Sequence, residues 1–161
     1  ELGSDIPFCL RGGTQLATGT GTELQKLDLS PDLNLVVVNP PFEISTAEIY
    51  KSFNLDAVEQ HPQIDNLITA LKDDNRSVIL SNLENVLELV AINRYPKIEE
   101  IKKIVAQKTD EVLMSGSGPT LLGFVENKEK ADLIAEELKN KLNDNYKIAS
   151  ATTVDLGVES F

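Results

Sequence analysis

Three short stretches of this sequence combine residue types that chemistry needs. In the first, Gly3-Ser4-Asp5-Ile6-Pro7-Phe8, a carboxylate sits in a turn beside a glycine that lets another molecule approach. Asp5 can act there as a general base, or help position a metal or a substrate hydroxyl. Local chemistry alone favours a turn residue whose carboxylate bonds nearby backbone amides. The second stretch, Met114-Ser115-Gly116-Ser117-Gly118-Pro119-Thr120, puts two glycines in a short loop whose exposed N–H groups can form an anion-binding concavity. It lacks the Gly-Lys-Ser/Thr ending of a P-loop and runs into a strand-like segment, which disfavours a Rossmann phosphate turn. A plain tight link between two strands is the other reading of Gly116, Ser117 and Gly118. The third stretch, residues 39–46 followed by Tyr50, spaces Thr46 and Tyr50 four apart, hence on one face of a helix. A hydroxyl beside an aromatic ring can hold a ligand's polar edge and a flat base. Thr46 as a helix cap and Tyr50 as a half-buried packing residue is the reading that helix-start habits favour.

Other reactive side chains are less well placed. Cys9 lies between Phe8 and Leu10, an apolar setting that predicts a buried, unreactive thiol. His61 precedes Pro62 and has no partner at a useful spacing. One Cys and one His cannot build a disulfide framework or a zinc cluster, and no metal ligand set is assigned.

The elements that must position these residues are legible in outline. Residues 14–18 and 23–27 flank Gly19-Thr20-Gly21 and predict a β-hairpin, entered through the flexible Arg11-Gly12-Gly13. Residues 35–38 are continuous, mostly β-branched and closed by Asn39-Pro40-Pro41, so they predict a buried strand. A helix is expected over residues 45–53 and another over residues 64–72. Asn82 is expected to cap a third helix carrying Leu83, Val86, Leu87 and Val90 on one face, with Tyr95-Pro96 interrupting it. Ile98, Ile101, Ile104 and Val105 mark the next. Residues 111–114 and 120–125 read as strands on either side of the glycine loop. Ala131, Ile134, Ala135, Leu138 and Leu142 fall on one helical face, and residues 146–154 close the chain as a strand. Strands, several helices, two strands, a helix and a strand fit an α+β fold better than a strictly alternating one.

The 161 residues carry 15 Lys and Arg against 26 Asp and Glu, a formal net charge of −11. A chain of this length buries about 70% of its unfolded surface. Its 41% hydrophobic and 25% charged content is that of a globular domain. The acidity argues against coating nucleic acid or binding an anionic membrane, since phosphate contacts need Lys or Arg. The apolar runs are too short to cross a bilayer, and Glu1, Asp5 and Pro7 break up the start, which does not read as a signal peptide. A soluble domain of a reducing compartment is expected.

Taken together the stretches carry a resemblance. Residues 2–10 followed by Gly12-Gly13-Thr14 resemble a segment of the GHMP kinases, and residues 114–120 resemble that family's third, C-terminal glycine motif. The Thr18-Gly19-Thr20-Gly21 turn, Pro40-Pro41-Phe42 with Ser45-Thr46, Asn82-Leu83-Glu84, and Tyr95-Pro96 with Ile98 are most similar to one branch, of bacterial or plastid type. That branch acts on 4-diphosphocytidyl-2-C-methyl-D-erythritol. The resemblance runs from Leu2 to about Val158.

It implies transfer of the ATP γ-phosphoryl group to the substrate's 2-hydroxyl, in the non-mevalonate isoprenoid route. Asp5 matches the family's catalytic aspartate, proposed to take the hydroxyl proton, a role suited to chemistry in which the protein mainly positions groups and neutralises charge. Thr46 and Tyr50 fall where the family holds the cytidine diphosphate end, with Tyr50 stacking on cytosine. Tyr50 stands where some relatives carry Phe. Gly116, Ser117 and Gly118 would line the substrate side beside Asp5 rather than hold ATP. ATP and Mg2+ are the cofactors implied for a full-length enzyme, in the bacterial cytoplasm or the plastid stroma.

The family's N-terminal motif with its catalytic Lys, and the Gly- and Ser-rich loop that wraps the ATP phosphates, do not occur in this sequence. The chain is therefore expected to be the C-terminal part of a longer kinase. Residues 1–27 would be a remnant of the N-terminal lobe, and residues 28–161 the C-terminal domain, a ferredoxin-like αβ sandwich with an antiparallel sheet. Its implied partner is the missing N-terminal half, and alone it is expected to bind MgATP poorly and turn over nothing. Two alternatives stay open: a GHMP kinase acting on another small alcohol, or a non-catalytic α+β module using the Gly116 loop as an anion nest.

Overall fold

The computed structural model describes residues 6–29, 31–54, 61–155 and 157. In chain order the elements are α1 (Ile6–Arg11), β1 (Thr14–Thr18), β2 (Glu23–Leu27), β3 (Asn34–Asn39), α2 (Thr46–Ser52), α3 (Ile64–Lys72), α4 (Arg76–Ser81), α5 (Glu88–Arg94), α6 (Lys97–Ala106), β4 (Glu111–Met114), β5 (Leu121–Val125), α7 (Lys128–Lys141) and β6 (Lys147–Thr152). Strands β1 and β2 form a separate antiparallel hairpin.

The other four strands form one sheet in the order β4-β5-β3-β6, every neighbouring pair antiparallel. Strands β3 and β4 therefore point the same way with β5 inserted between them, and β5 and β6 do the same around β3. This is the split βαβ arrangement of a ferredoxin-like sheet. Register places Val36 opposite Gly123, and Val38 opposite both Leu121 and Ile148. Because side chains alternate across a strand, these residues share one face and Leu35 with its partner Phe124 takes the other.

The first face carries the larger core. Val36, Val38, Leu121 and Val125 pack with Ile98, Ile101 and Val105 of α6 and with Ala131, Ile134, Ala135 and Leu138 of α7. Helix α6 can approach closely because Gly123 has no side chain: a Cβ there would lie 2.7 Å from Val105 Cγ1 and 2.8 Å from Thr109 Cγ2. On the second face Leu35 and Phe124 meet Ala70 of α3 and Ile79 and Leu80 of α4. The sheet is thus covered on both sides, which explains the near-continuous apolar run of β3.

Three departures from the sequence reading have local causes. Asn82 does not start a helix but closes α4, donating from Nδ2 to Val78 O at 2.8 Å, while Asn75 caps the start of α4 through Val78 N. The expected helix is consequently reduced to α5, and α4, which precedes Asn82, is an additional helix. The segment entering the hairpin is helical, as α1, with Pro7 in its first turn where the missing N–H costs nothing. Finally, Cys9 is exposed, because α1 buries none of its residues and Phe8 and Leu10 also face outward. The far end of the chain returns to this helix: a Cβ on Gly157 would lie 2.5 Å from Leu10 O and 2.8 Å from Cys9 O.

Candidate functional site

Two connections meet at one end of the sheet. Strand β3 ends at Asn39, and the chain turns through its prolines into α2, whose N-cap is Ser45; the Ser45 hydroxyl accepts from Glu48 N at 3.3 Å. Since Ser45 performs the capping, Thr46 does not, and its hydroxyl is available for another partner. Strand β4 runs into residues 115–118 and returns as β5. That loop closes on itself, Gly118 N donating to Ser115 O at 2.9 Å and Ser115 N to Thr120 O at 2.9 Å. Asn39 Nδ2 donates to Thr120 Oγ1 at 2.8 Å, fastening the loop's exit to the end of β3.

Thr46 and Ser117 then meet. Their hydroxyl oxygens are 2.8 Å apart, and either can donate. Tyr50, one turn along α2 on the same face, is 58% exposed and presents its ring to solvent. The sequence-derived residues Thr46, Tyr50, Gly116, Ser117 and Gly118 therefore gather at one junction. Asp5 lies outside the described residues. His61 is exposed, its carbonyl accepting from Gln63 Nε2.

The two glycines serve different needs. Gly116 (φ +55°) has nothing within 4 Å of where a Cβ would be, whereas a Cβ on Gly118 (φ +88°) would sit 2.8 Å from Met114 Sδ and 3.2 Å from Ile44 Cδ1. Gly118 is held against the protein and Gly116 faces open space. Among the described residues the Gly116 and Ser117 amides have no hydrogen-bond partner, leaving two donors beside the exposed hydroxyl pair.

Sequence reasoning missed the residues that hold this junction. Asn85 Nδ2 donates to Met114 O and to Gly116 O, both at 2.7 Å, and Glu88 Oε2 accepts from Met114 N at 3.0 Å. Glu88 also pairs with Lys102. On the other side Arg94 Nη2 reaches Glu48 Oε2 at 2.9 Å, with Tyr95 Oη at 3.4 Å from the same oxygen, tying α2 to the end of α5. The Glu48 hydrogen bond, then that of Tyr95, raises the Arg94 guanidinium further above its ordinary value. The one available signal was Asn85 itself, a residue of low helix propensity in a segment whose apolar spacing predicts a helix. Beside the junction lies a cavity of about 840 Å³, lined in part by Phe53, Asn85, Glu88, Leu89 and Lys102.

A split βαβ domain whose central hairpin ends in a glycine loop, with a helix N-terminus pressed against it, is the class that this fold and site define. Residues 47–144 match the family described as GHMP kinases C terminal, and the chain belongs to the GHMP kinase family. It is 42% identical over 147 residues to a 4-diphosphocytidyl-2-C-methyl-D-erythritol kinase of Clostridium botulinum, covering 91% of this chain and 52% of that protein. To the kinase of the same name from Bacillus licheniformis it is 38% identical over 149 residues, covering 92% and 51%. The chain thus spans about half the length of these curated relatives. A crystal structure of a 4-(cytidine 5'-diphospho)-2C-methyl-D-erythritol kinase superposes with TM-score 0.76 at 26% identity, over 93% of this chain and 53% of the other. Homoserine kinase from Cytophaga hutchinsonii shares the fold, with TM-score 0.75 at 22% identity over 94% of this chain and 51% of that one.

Proposed function

We propose that this chain is the C-terminal part of a kinase that transfers the ATP γ-phosphoryl group to the 2-hydroxyl of 4-diphosphocytidyl-2-C-methyl-D-erythritol. The observation that carries the reading is the meeting of Thr46 and Ser117 in a chain 42% identical to a kinase named for that substrate. In this reading α2 and the glycine loop form the acceptor side of the site. The exposed ring of Tyr50 stacks on cytosine. The Thr46 hydroxyl and the free Gly116 and Ser117 amides meet polar edges of the same molecule, and Asp5 is the group that takes the 2-hydroxyl proton.

The nucleotide and its cation belong elsewhere. Among the described residues no three His, Cys, Asp or Glu side chains converge to hold a metal ion. In the proposed division, residues 1–27 belong with an N-terminal lobe that supplies the ATP loop, and residues 28–161 form the acceptor-binding domain. The isolated chain accordingly turns over nothing.

Phosphorylation assays test both statements. The full-length enzyme containing this sequence should phosphorylate the cytidyl substrate, with homoserine as a poor acceptor. The 161-residue chain alone should match a blank without enzyme. Preference for another alcohol would remove the substrate assignment, and turnover by the isolated chain would overturn the division of labour.

A further inference from the structure

We propose that Asn85 is a positioning residue for the glycine loop, setting the place of Ser117 and the amides beside it. The inference rests on the acceptor-site reading above for its catalytic consequence, but its geometry stands alone. A neutral carboxamide offers two N–H donors on one atom and an acceptor on the other. Asn85 uses both ends: Nδ2 lies 2.7 Å from Met114 O and 2.7 Å from Gly116 O, and Oδ1 accepts from Leu87 N at 3.0 Å. The two carbonyls belong to the last residue of β4 and the first glycine of the loop. With a donor between them they converge, whereas without one their negative ends repel.

Packing gives Gly116 little support. Nothing lies within 4 Å of its missing Cβ, so the hydrogen bond to Asn85 fixes the loop where side-chain contacts do not. Ser117 follows directly and reaches Thr46. Glu88 completes the clamp from three residues downstream by accepting from Met114 N, and its charge is met by Lys102. Residues 85–88 thus satisfy both backbone groups of Met114, at the end of the edge strand β4. The same short segment continues into α5, whose last residue, Arg94, holds α2 through Glu48. One element therefore carries both halves of the junction, and Asn85 is its contact with the loop.

The donor role separates Asn85 from a residue that merely fills space. Asn85→Asp keeps size and shape but turns an acceptor toward two carbonyls, while Asn85→Ala leaves a gap that water can enter. In the full-length enzyme, Asn85→Ala should raise KM for 4-diphosphocytidyl-2-C-methyl-D-erythritol about tenfold, the usual scale of a lost hydrogen bond. Asn85→Asp should raise it further, with KM for ATP unchanged in both variants. Lowering the pH should partly restore Asn85→Asp relative to wild type, because a protonated carboxyl donates again. A milder effect of Asp than of Ala, or equal rises in both KM values, would overturn the proposal. Hydrogen exchange on the full-length enzyme is the second readout. The Ser115 and Gly118 amides should exchange about tenfold faster in Asn85→Ala while those of α7 do not change, and unaltered loop exchange would also overturn it. If the wild-type enzyme does not phosphorylate the cytidyl substrate, the kinase reading fails, and the exchange rates alone decide whether Asn85 sets the loop.

Discussion

The hydroxyl oxygens of Thr46 and Ser117 lie 2.8 Å apart although 71 positions separate them in the chain. The pair is exposed, so its bond contributes little to stability, and substitutions there should change the melting free energy by no more than about 0.5 kcal/mol. Its value is positional. Thr46→Val and Ser117→Ala in the full-length enzyme should each raise KM for the cytidyl substrate, and the double variant should be less than additive. Additive effects in the double-mutant cycle would show that the two hydroxyls act separately.

Tyr50 offers a ring that the fold itself does not use. With 58% of its surface exposed, Tyr50→Ala should leave the melting temperature almost unchanged. If cytosine stacks on it, the same change should weaken the cytidyl substrate by about tenfold or more, the scale of base stacking on an aromatic side chain. Tyr50→Phe keeps the face and should behave as wild type. Substrate titration of the two variants by calorimetry separates stacking from any role of the hydroxyl.

Gly118 and Gly116 differ in what a methyl group would meet. Gly118→Ala combines φ +88° with a Cβ 2.8 Å from Met114 Sδ, and should destabilise the fold by about 1–3 kcal/mol in urea unfolding. Gly116→Asn should be far better tolerated, because its site is open and Asn adopts φ +55° more readily than other residues. Equal losses at the two positions would contradict this distinction.

Helix α6 rests on a glycine. Gly123→Ala would bring a methyl within 2.7 Å of Val105 Cγ1 and 2.8 Å of Thr109 Cγ2, so α6 must shift or the strand must move. A loss of about 1–3 kcal/mol is expected. Pairing it with Val105→Ala should recover part of that loss in chemical unfolding, since the clash and the new space offset one another.

Asp132 supplies a pH signature. It accepts from Lys128 on its own helix and from Ser150 of β6, and these bonds, Lys128 first, hold its carboxyl below the ordinary value. The unfolded chain therefore binds a proton at higher pH than the folded one does, so stability rises with pH between the two values. The contribution is fully present above the ordinary carboxylate value, about 3.9, and is lost as pH falls through the lower folded value. Asp132→Asn should be less stable than wild type near neutrality and equal to it in strong acid. Acid titrations of the two proteins by circular dichroism read the difference directly.

How much of this was legible beforehand depended on the range of the forces involved. The spacing of Ala131, Ile134, Ala135 and Leu138 placed α7, because one helical face acts over a few residues, and all four are buried. The β-branched run placed β3 and the Gly-rich turn placed the first hairpin for the same reason. Asn82 misled because Asn favours both ends of a helix, and only its bond to Val78 O shows which end it closes. Cys9 misled because apolar neighbours in sequence do not ensure that a six-residue helix buries them.

By itself the sequence determined the α+β class, most of the elements and the glycine loop, all written in local pattern and turn chemistry. Tertiary structure alone decided that α3 and α4 cover the second face of the sheet and that Asn85 reaches the glycine loop. Those outcomes depend on which strands become neighbours. The order β4-β5-β3-β6 sets β5 beside β3, and Asn39, where β3 ends, bonds Thr120 as the loop enters β5, so Thr46 arrives beside Ser117. No local propensity encodes a distance between residues 71 apart. It is fixed only when burial of both sheet faces selects a single register, because a one-residue slip would turn Val36 and Val38 away from their core.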